Sequence, residues 1–163
     1  MEPKIKLIEN QYSNVIVDLI LNIQQKEFNV PITIDDQPDL LTINDFYYAS
    51  GGGFWGAFIN EELVGTIALV KFADNAAAIR KMFVKKEYRG KEFSIAQKLL
   101  ETLIAYCKEN GIDDLYLGTV SILEAALRFY EKNDFVRIQK EELPKAFPLM
   151  APDNVFCHLT LKK

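Results

Sequence analysis

Seven cationic side chains fall between positions 80 and 98: Arg80, Lys81, Lys85, Lys86, Arg89, Lys91 and Lys98. Only Glu87 and Glu92 oppose them, in a chain whose formal net charge is −4. Composition therefore does not explain this local reversal of sign. The stretch reads as the end of a strand, a basic loop holding Arg89, Gly90 and Lys91, and a helix that starts at Ser94. A helix N-terminus presents unpaired N–H groups and about half a positive charge, so a basic loop feeding one suits phosphate. The competing account is a solubilising lysine edge. It gives no reason for an Arg-Gly pair at a strand-to-helix junction with small Ser94 one turn on.

Other reactive side chains are sparse. The single histidine, His158, falls in a predicted strand and reads as a satisfied structural residue. Cys107, on a helix face, and Cys157, in a strand, read as packed, reduced thiols. Without clustered Cys or His, a zinc site has no ligand set. Asp35, Asp36 and Asp39 share one loop. They read first as a solvated turn with Asp capping the next element; the alternative is to attract a cationic amine or relay its proton. Phe46, Tyr47, Tyr48, Phe54, Trp55 and the later Phe147 suit either the wall of a small-molecule pocket or a core beneath a loop. Gly51, Gly52 and Gly53 mark a flexible turn, or else a hinge or a close backbone approach to ligand.

Hydrophobic spacing gives the elements that must position these residues. Residues 4–9 alternate and read as a strand. Ser13 is placed to cap a helix to about residue 28, with Val15, Ile16, Leu19, Ile20 and Ile23 at helical spacing. Residues 29–42 contain Pro31, Pro38 and three aspartates and read as a loop, followed by a short helix at 43–49. Residues 54–60 and 63–72 form a hairpin, and a turn at Asp74 and Asn75 leads to a third strand at 77–84. The clearest helix spans 94–110. Ile95, Ala96, Leu99, Leu100, Leu103, Ile104 and Cys107 share one face, and Gly111 is placed to end it. A strand at 114–120, a helix at 122–133 and closing strands at 135–138 and 155–161 complete the chain. Pro144, Pro148 and Pro152 lie between the last two strands.

The order βα(α)βββαβαββ is an α/β (α+β) pattern. Its helix-linked return after the third meander strand predicts one parallel pairing in an otherwise antiparallel sheet. With 163 residues and no repeat or linker, the expectation is one domain, 1–163. The mild acidity speaks against a dedicated nucleic-acid binder. No apolar run approaches the roughly 20 residues that cross a bilayer. The first ten residues lack the apolar core of a signal peptide, so the expected location is the cytoplasm.

The element order and the segment Val84-Lys85-Lys86-Glu87-Tyr88-Arg89-Gly90-Lys91 resemble the GNAT superfamily of acyl-CoA-dependent N-acyltransferases. Residues 126–135, with Arg128, Phe129, Tyr130, Asn133, Asp134 and Phe135, are similar to that family's later helix-to-strand signature, at the family's spacing. The resemblance implies a single-domain fold with a mixed, mostly antiparallel central sheet flanked by helices. It also implies a loop of pattern Gln/Arg-x-x-Gly-x-Gly/Ala whose backbone amides hold the diphosphate of coenzyme A. The aligned residues are Arg89, Gly90, Lys91, Glu92, Phe93 and Ser94. Glu92 replaces the usual first glycine, and Ser94 takes the last small position. A glutamate serves there if its side chain points to solvent, because backbone N–H groups make the contact.

Further roles come with the resemblance. Backbone groups of Met82, Phe83 and Val84 would pair with the pantetheine arm as an added strand does, and the amide of Phe83 or Val84 would polarise the thioester carbonyl. Tyr130 matches the family's acid for the departing thiolate, against a core-edge reading shared with Leu123 and Leu127. Leu123 replaces the asparagine often found seven residues earlier and is taken as packing. No general base is visible, since Arg80 and Lys81 occupy the strand where relatives often carry glutamate.

The implied activity is an N-acetyltransferase with acetyl-CoA as co-substrate and no metal. It would move an acetyl group to a primary amine of a small molecule or protein by direct attack in a ternary complex. Glu92 and Leu123 motivate two other readings: a non-catalytic acyl-CoA-binding or regulatory domain, and a relative whose loop binds another phosphorylated ligand. No nucleic-acid or membrane partner is expected. Residues 143–150 either close over the acceptor or support a homodimer; by resemblance, the late strands are the dimer face.

Overall fold

A computed structural model describes residues 2–90, 94–121, 123–150 and 153–161. Its strands are β1 (Lys4–Leu7), β2 (Gly53–Ile59), β3 (Glu62–Ala73), β4 (Ala76–Val84), β5 (Asp114–Thr119), β6 (Val136–Ile138) and β7 (Val155–Thr160). Its α-helices are α1 (Ser13–Leu21), α2 (Ile95–Glu109) and α3 (Glu124–Lys132). The strands form one mixed sheet in the order β1-β2-β3-β4-β5-β7-β6, the α/β arrangement that the element order predicts. The β4–β5 pair is parallel, as a helix-linked return requires, while β1–β2, β2–β3, β5–β7 and β6–β7 are antiparallel. No helix of the described residues is long and apolar enough to cross a membrane.

The chain divides into two compact units. One comprises Met1–Val70 and Arg80–Tyr106; the other comprises Lys71–Ile79 and Cys107–Lys163. In the first, every residue of β2 is buried. Ile16, Leu19 and Ile20 of α1 pack with Ile8, Leu40, Ile43, Tyr47 and Phe54. Each fully buried side chain of this kind contributes about 1.5–3 kcal/mol relative to its exposed state.

Ser13 is not the cap of α1. A 3₁₀ turn at Asn10–Tyr12 starts the coil early, Tyr12 takes the N-cap position, and Ser13 Oγ is buried without a partner. Beyond Leu21 the helix widens into a π-helical stretch, Asn22–Glu27, and closes at Phe28, where the sequence predicts its end. The following loop holds two short 3₁₀ turns, Ile34–Asp36 and Pro38–Leu41, and the short helix after it is a π-helical turn, Asn44–Tyr48. The glycine triplet is pinned rather than loose. The Gly52 N–H donates to the Tyr47 carbonyl at 3.0 Å, and the Tyr106 hydroxyl donates to the Gly51 carbonyl at 2.6 Å.

Gly65 on β3 sets the seat of α2. A Cβ there would lie 3.0 Å from Ile95 Cγ2 and 3.3 Å from Leu99 Cδ1, tighter than ordinary contact. Its absence lets the first turns of α2 lie close against the strand. Ile95, Leu99, Leu100, Leu103 and Cys107 form the buried stripe of that helix.

In the second unit, Phe147 is core. It packs with Ala78 and Phe156, flanked by Phe72, Tyr116, Ile138 and Leu143. Phe147 thus belongs to a different cluster from the Phe46–Trp55 aromatics. Of those, Tyr47, Phe54 and Trp55 are buried, and only Phe46 is exposed. His158 sets Nε2 2.8 Å from Asp114 Oδ1 and stacks on Tyr116 with centroids 4.5 Å apart, a satisfied structural position. Cys107 and Cys157 are free and buried, and burial raises both thiol pKa values, Cys107 to about 12. Ile122 and Pro152 lie outside the described residues.

Candidate functional site

Strand β4 is the backbone of the candidate site. Its paired register with β5 covers Ala76–Ala78, and the strand continues to Val84. Lys81 sits in that continuation with φ +54°, a left-handed conformation that non-glycine residues seldom take. The Thr66 hydroxyl donates to the Lys81 carbonyl at 2.6 Å and holds this irregularity against β3. Past it, the Lys85 N–H donates to the Val64 carbonyl of β3 at 2.8 Å, and the Phe83 carbonyl lies 3.1 Å from where a Gly65 Cβ would stand. Residues 83 and 85 therefore direct their backbone groups at β3. The period of two turns those of Met82 and Val84 to the opposite edge.

The loop beyond β4 has fixed and open parts. A 3₁₀ turn at Lys86–Tyr88 precedes Arg89. Gly90 adopts φ +116° and Ser94 φ +51°. The Ser94 N–H donates to the Gly90 carbonyl at 3.2 Å, and Lys98 N–H donates to the Ser94 carbonyl at 3.0 Å as α2 begins. Lys91, Glu92 and Phe93 lie outside the described residues, and with them the question of how Glu92 points. Several of the cations are engaged. Lys85 reaches Glu62 at 2.8 Å and holds that carboxyl below its usual range, Lys98 reaches Glu2 at 3.3 Å, and Arg89 pairs with Glu27. Lys86 is exposed and makes no ion pair among the described residues.

The three loop aspartates separate into two kinds. Asp35 and Asp36 are both exposed. Asp36 Oδ2 accepts from the Thr33 N–H at 2.9 Å, which is the capping role expected of a turn. Asp39 is different: it is only 8% exposed and sits in a buried polar network. The Tyr47 hydroxyl donates to Asp39 Oδ2, and Lys81 Nζ lies 3.6 Å from the same oxygen. Lys81 Nζ also donates to Gln37 Oε1 at 2.6 Å, and Gln37 Nε2 donates to Gln24 Oε1 at 2.8 Å. Burial, and then the adjacent Asp39 carboxylate, raise the Tyr47 pKa well above 10, so the hydroxyl stays a donor. Among the described residues Asp39 Oδ1 has no hydrogen bond. A buried carboxylate oriented by a phenol and an ammonium can hold a cation or accept a proton.

Tyr130 is 5% exposed on α3, edge-on to Phe135 and Phe129. Burial raises its pKa, and Cys157 adds to the shift. Its hydroxyl makes no hydrogen bond to a described residue.

Sequence reasoning missed the partners Gln24, Gln37, Glu27 and Phe28, and it read Lys81 as part of a basic run and as standing where relatives often carry glutamate. The available signal was Lys81 itself, the buried one of two adjacent cations in a strand whose other residues are apolar.

The acetyltransferase (GNAT) family profile matches residues 17–135. Among solved structures, an acetyltransferase of the GNAT family from Staphylococcus aureus Mu50 is 42% identical with TM-score 0.95, covering 98% of this chain and 99% of that one. PaiA N-acetyltransferase from Thermoplasma acidophilum, in complex with coenzyme A, shares the fold at 19% identity and TM-score 0.76, covering 98% and 99%. A probable N-acetyltransferase, camello, from Xenopus tropicalis is 31% identical over 109 residues, which are 65% of this chain and 49% of that protein. The chain thus spans about half the length of that curated relative.

Proposed function

The chain belongs to the acetyltransferase (GNAT) family of acyltransferases, and from that premise we propose that residues 1–163 work as one domain that transfers acetyl from acetyl-CoA to a primary amine. The observation that carries this reading is the passage from β4 through Arg89 and Gly90 into α2. A strand whose Met82 and Val84 groups face away from β3 leads into a left-handed glycine and a helix N-terminus. A pantetheine arm needs such an edge, and a diphosphate needs such a turn. The coenzyme A bound to the Thermoplasma acidophilum relative supports the same ligand here. In this reading Met82, Phe83 and Val84 receive the pantetheine arm, and Arg89, Gly90, Lys91, Glu92, Phe93 and Ser94 form the diphosphate loop.

Chemistry then assigns the remaining roles. An alkylammonium with pKa about 10.4 must lose a proton before it can attack. Asp39 is the group of the acceptor loop fitted to take that proton. The neutral amine attacks the thioester carbon, the C–N bond forms, the C–S bond breaks, and coenzyme A leaves as a thiolate. Tyr130, kept protonated by burial, gives a proton to the sulfur and is restored by the second proton that the nitrogen sheds as the amide forms. The outward N–H of Val84 is the donor suited to the developing oxyanion, a contact type worth about 2.7–4 kcal/mol of barrier lowering. Two free, buried thiols suit a reducing compartment, and we assign the protein to the cytoplasm.

Calorimetric titration with acetyl-CoA at low and high salt, followed by thiol release with a set of primary amines, tests the proposal. One-to-one binding with acetyl transfer supports it. Binding without transfer would leave an acyl-CoA-binding domain, and equal affinity for ATP would refute the coenzyme reading.

A further inference from the structure

Arg89 matches the first position of the diphosphate loop pattern, yet all three of its side-chain nitrogens are engaged by the protein. Nε donates to the Val84 carbonyl at 2.8 Å, which ties the loop back to the end of β4. Nη2 donates to Glu27 Oε1 at 2.8 Å, and Nη1 donates to Glu27 Oε2. The guanidinium carbon lies 5.6 Å from the centroid of the Phe28 ring. Glu27 and Phe28 close the π-helical end of α1. The planar fork of arginine matches a carboxylate at two points, and an ammonium cannot reproduce that geometry. The neighbouring Lys85 is held by Glu62, which leaves Lys86 as the described loop cation without an ion partner.

We propose that Arg89 is a positioning residue, clamped by Glu27, and not a phosphate ligand. Glu27 is then a determinant of acetyl-CoA affinity despite its negative charge. The inference rests on the coenzyme reading above. The clamp fixes the loop at two points immediately before Gly90, so the entry to the loop is held in place before the diphosphate arrives. Loss of either partner frees the loop, and binding must then bear the cost of ordering it.

The proposal reverses the sign expected from charge alone. Removing a carboxylate beside a site for a polyanion should tighten binding; releasing the clamp should weaken it. The experiment is titration of Glu27→Gln, Glu27→Ala, Arg89→Ala and the Glu27→Ala/Arg89→Ala double variant with acetyl-CoA at two salt concentrations. Circular dichroism confirms that each variant is folded, and Glu27→Gln, the mildest change, covers a failure of the others to fold. Each single variant should bind about tenfold more weakly, the double variant no worse than either, because the two side chains act as one unit. The salt dependence of Arg89→Ala should equal that of the wild type, whereas Lys86→Ala should reduce it. Tighter or unchanged binding by the Glu27 variants overturns the proposal. So does additive loss in the double variant, or a reduced salt dependence in Arg89→Ala. Absence of acetyl-CoA binding by the wild-type protein overturns the coenzyme reading itself, and the two failures are thereby distinguished.

Discussion

Lys81 and Asp39 form an ion pair of 3.6 Å whose side chains are only 3% and 8% exposed. A buried pair loses most when one partner alone is removed, because the other charge is left without compensation. Lys81→Met and Asp39→Ala should each destabilise the fold by about 3–5 kcal/mol. The double variant Lys81→Met/Asp39→Leu should cost less than either. Urea denaturation of the three proteins checks this, and additive losses would show that the pair is not coupled.

Alkali should unfold the protein through its buried neutral groups. Burial raises Cys107 from 9.0 to about 12, and Tyr47 and Tyr130 also rise above their usual 10.0. The folded state therefore keeps protons that the unfolded state releases. Stability is full below about pH 9 and falls as pH rises through the window to about 12, by at most about 1.4 kcal/mol per pH unit for each group. Cys107→Ala should flatten that decline between pH 9 and 11 in a denaturant series. An unaltered slope would remove the thiol from the account.

Tyr130→Phe should lower acetyl transfer by about 10²- to 10⁴-fold, the range for a general acid, and leave acetyl-CoA affinity intact. Single-turnover kinetics alongside calorimetry separates the two quantities. Full activity in Tyr130→Phe would return that residue to the core.

Gly90→Ala tests the loop backbone alone. An added Cβ would meet nothing within 4 Å, but φ is +116°, so the strain is conformational and on the order of 1–3 kcal/mol. Gly111, at the other end of α2, is equally open with φ +71°. Gly90→Ala should weaken acetyl-CoA binding, whereas Gly111→Ala should lower only the melting temperature. Equal effects on affinity would detach Gly90 from the ligand.

The topology was legible because its determinants are local. Ile95, Leu99, Leu100, Leu103 and Cys107 recur at helical spacing, and all are buried in α2 as read. The return through that helix predicts the parallel β4–β5 pair, which the register contains. The polar contacts were not legible, because their partners are distant in the chain. Lys81 and Gln37 are 44 residues apart, and Arg89 and Glu27 are 62 apart. No local pattern distinguishes Asp39 from Asp35 and Asp36; burial against β4 does. Ser13 was misread for a similar reason, since a hydroxyl at a helix start signals a cap only when no earlier turn has begun the coil.

On the proposed reading β4 stays open for a ligand, and an open strand is also an invitation to another copy of itself. The stretch of β4 beyond its β5 register would be a template for edge-to-edge aggregation if it were flat, long and uncapped. It is none of these. Lys81 breaks the pleat with a left-handed residue, and the Arg89 Nε–H already occupies the Val84 carbonyl where a foreign strand would extend its ladder. The opening is thus a few residues long and ends in a guanidinium. On the proposed reading that suffices for the two amides of a pantetheine arm and is too little for a second polypeptide to propagate, so these features double as a guard against edge-to-edge aggregation.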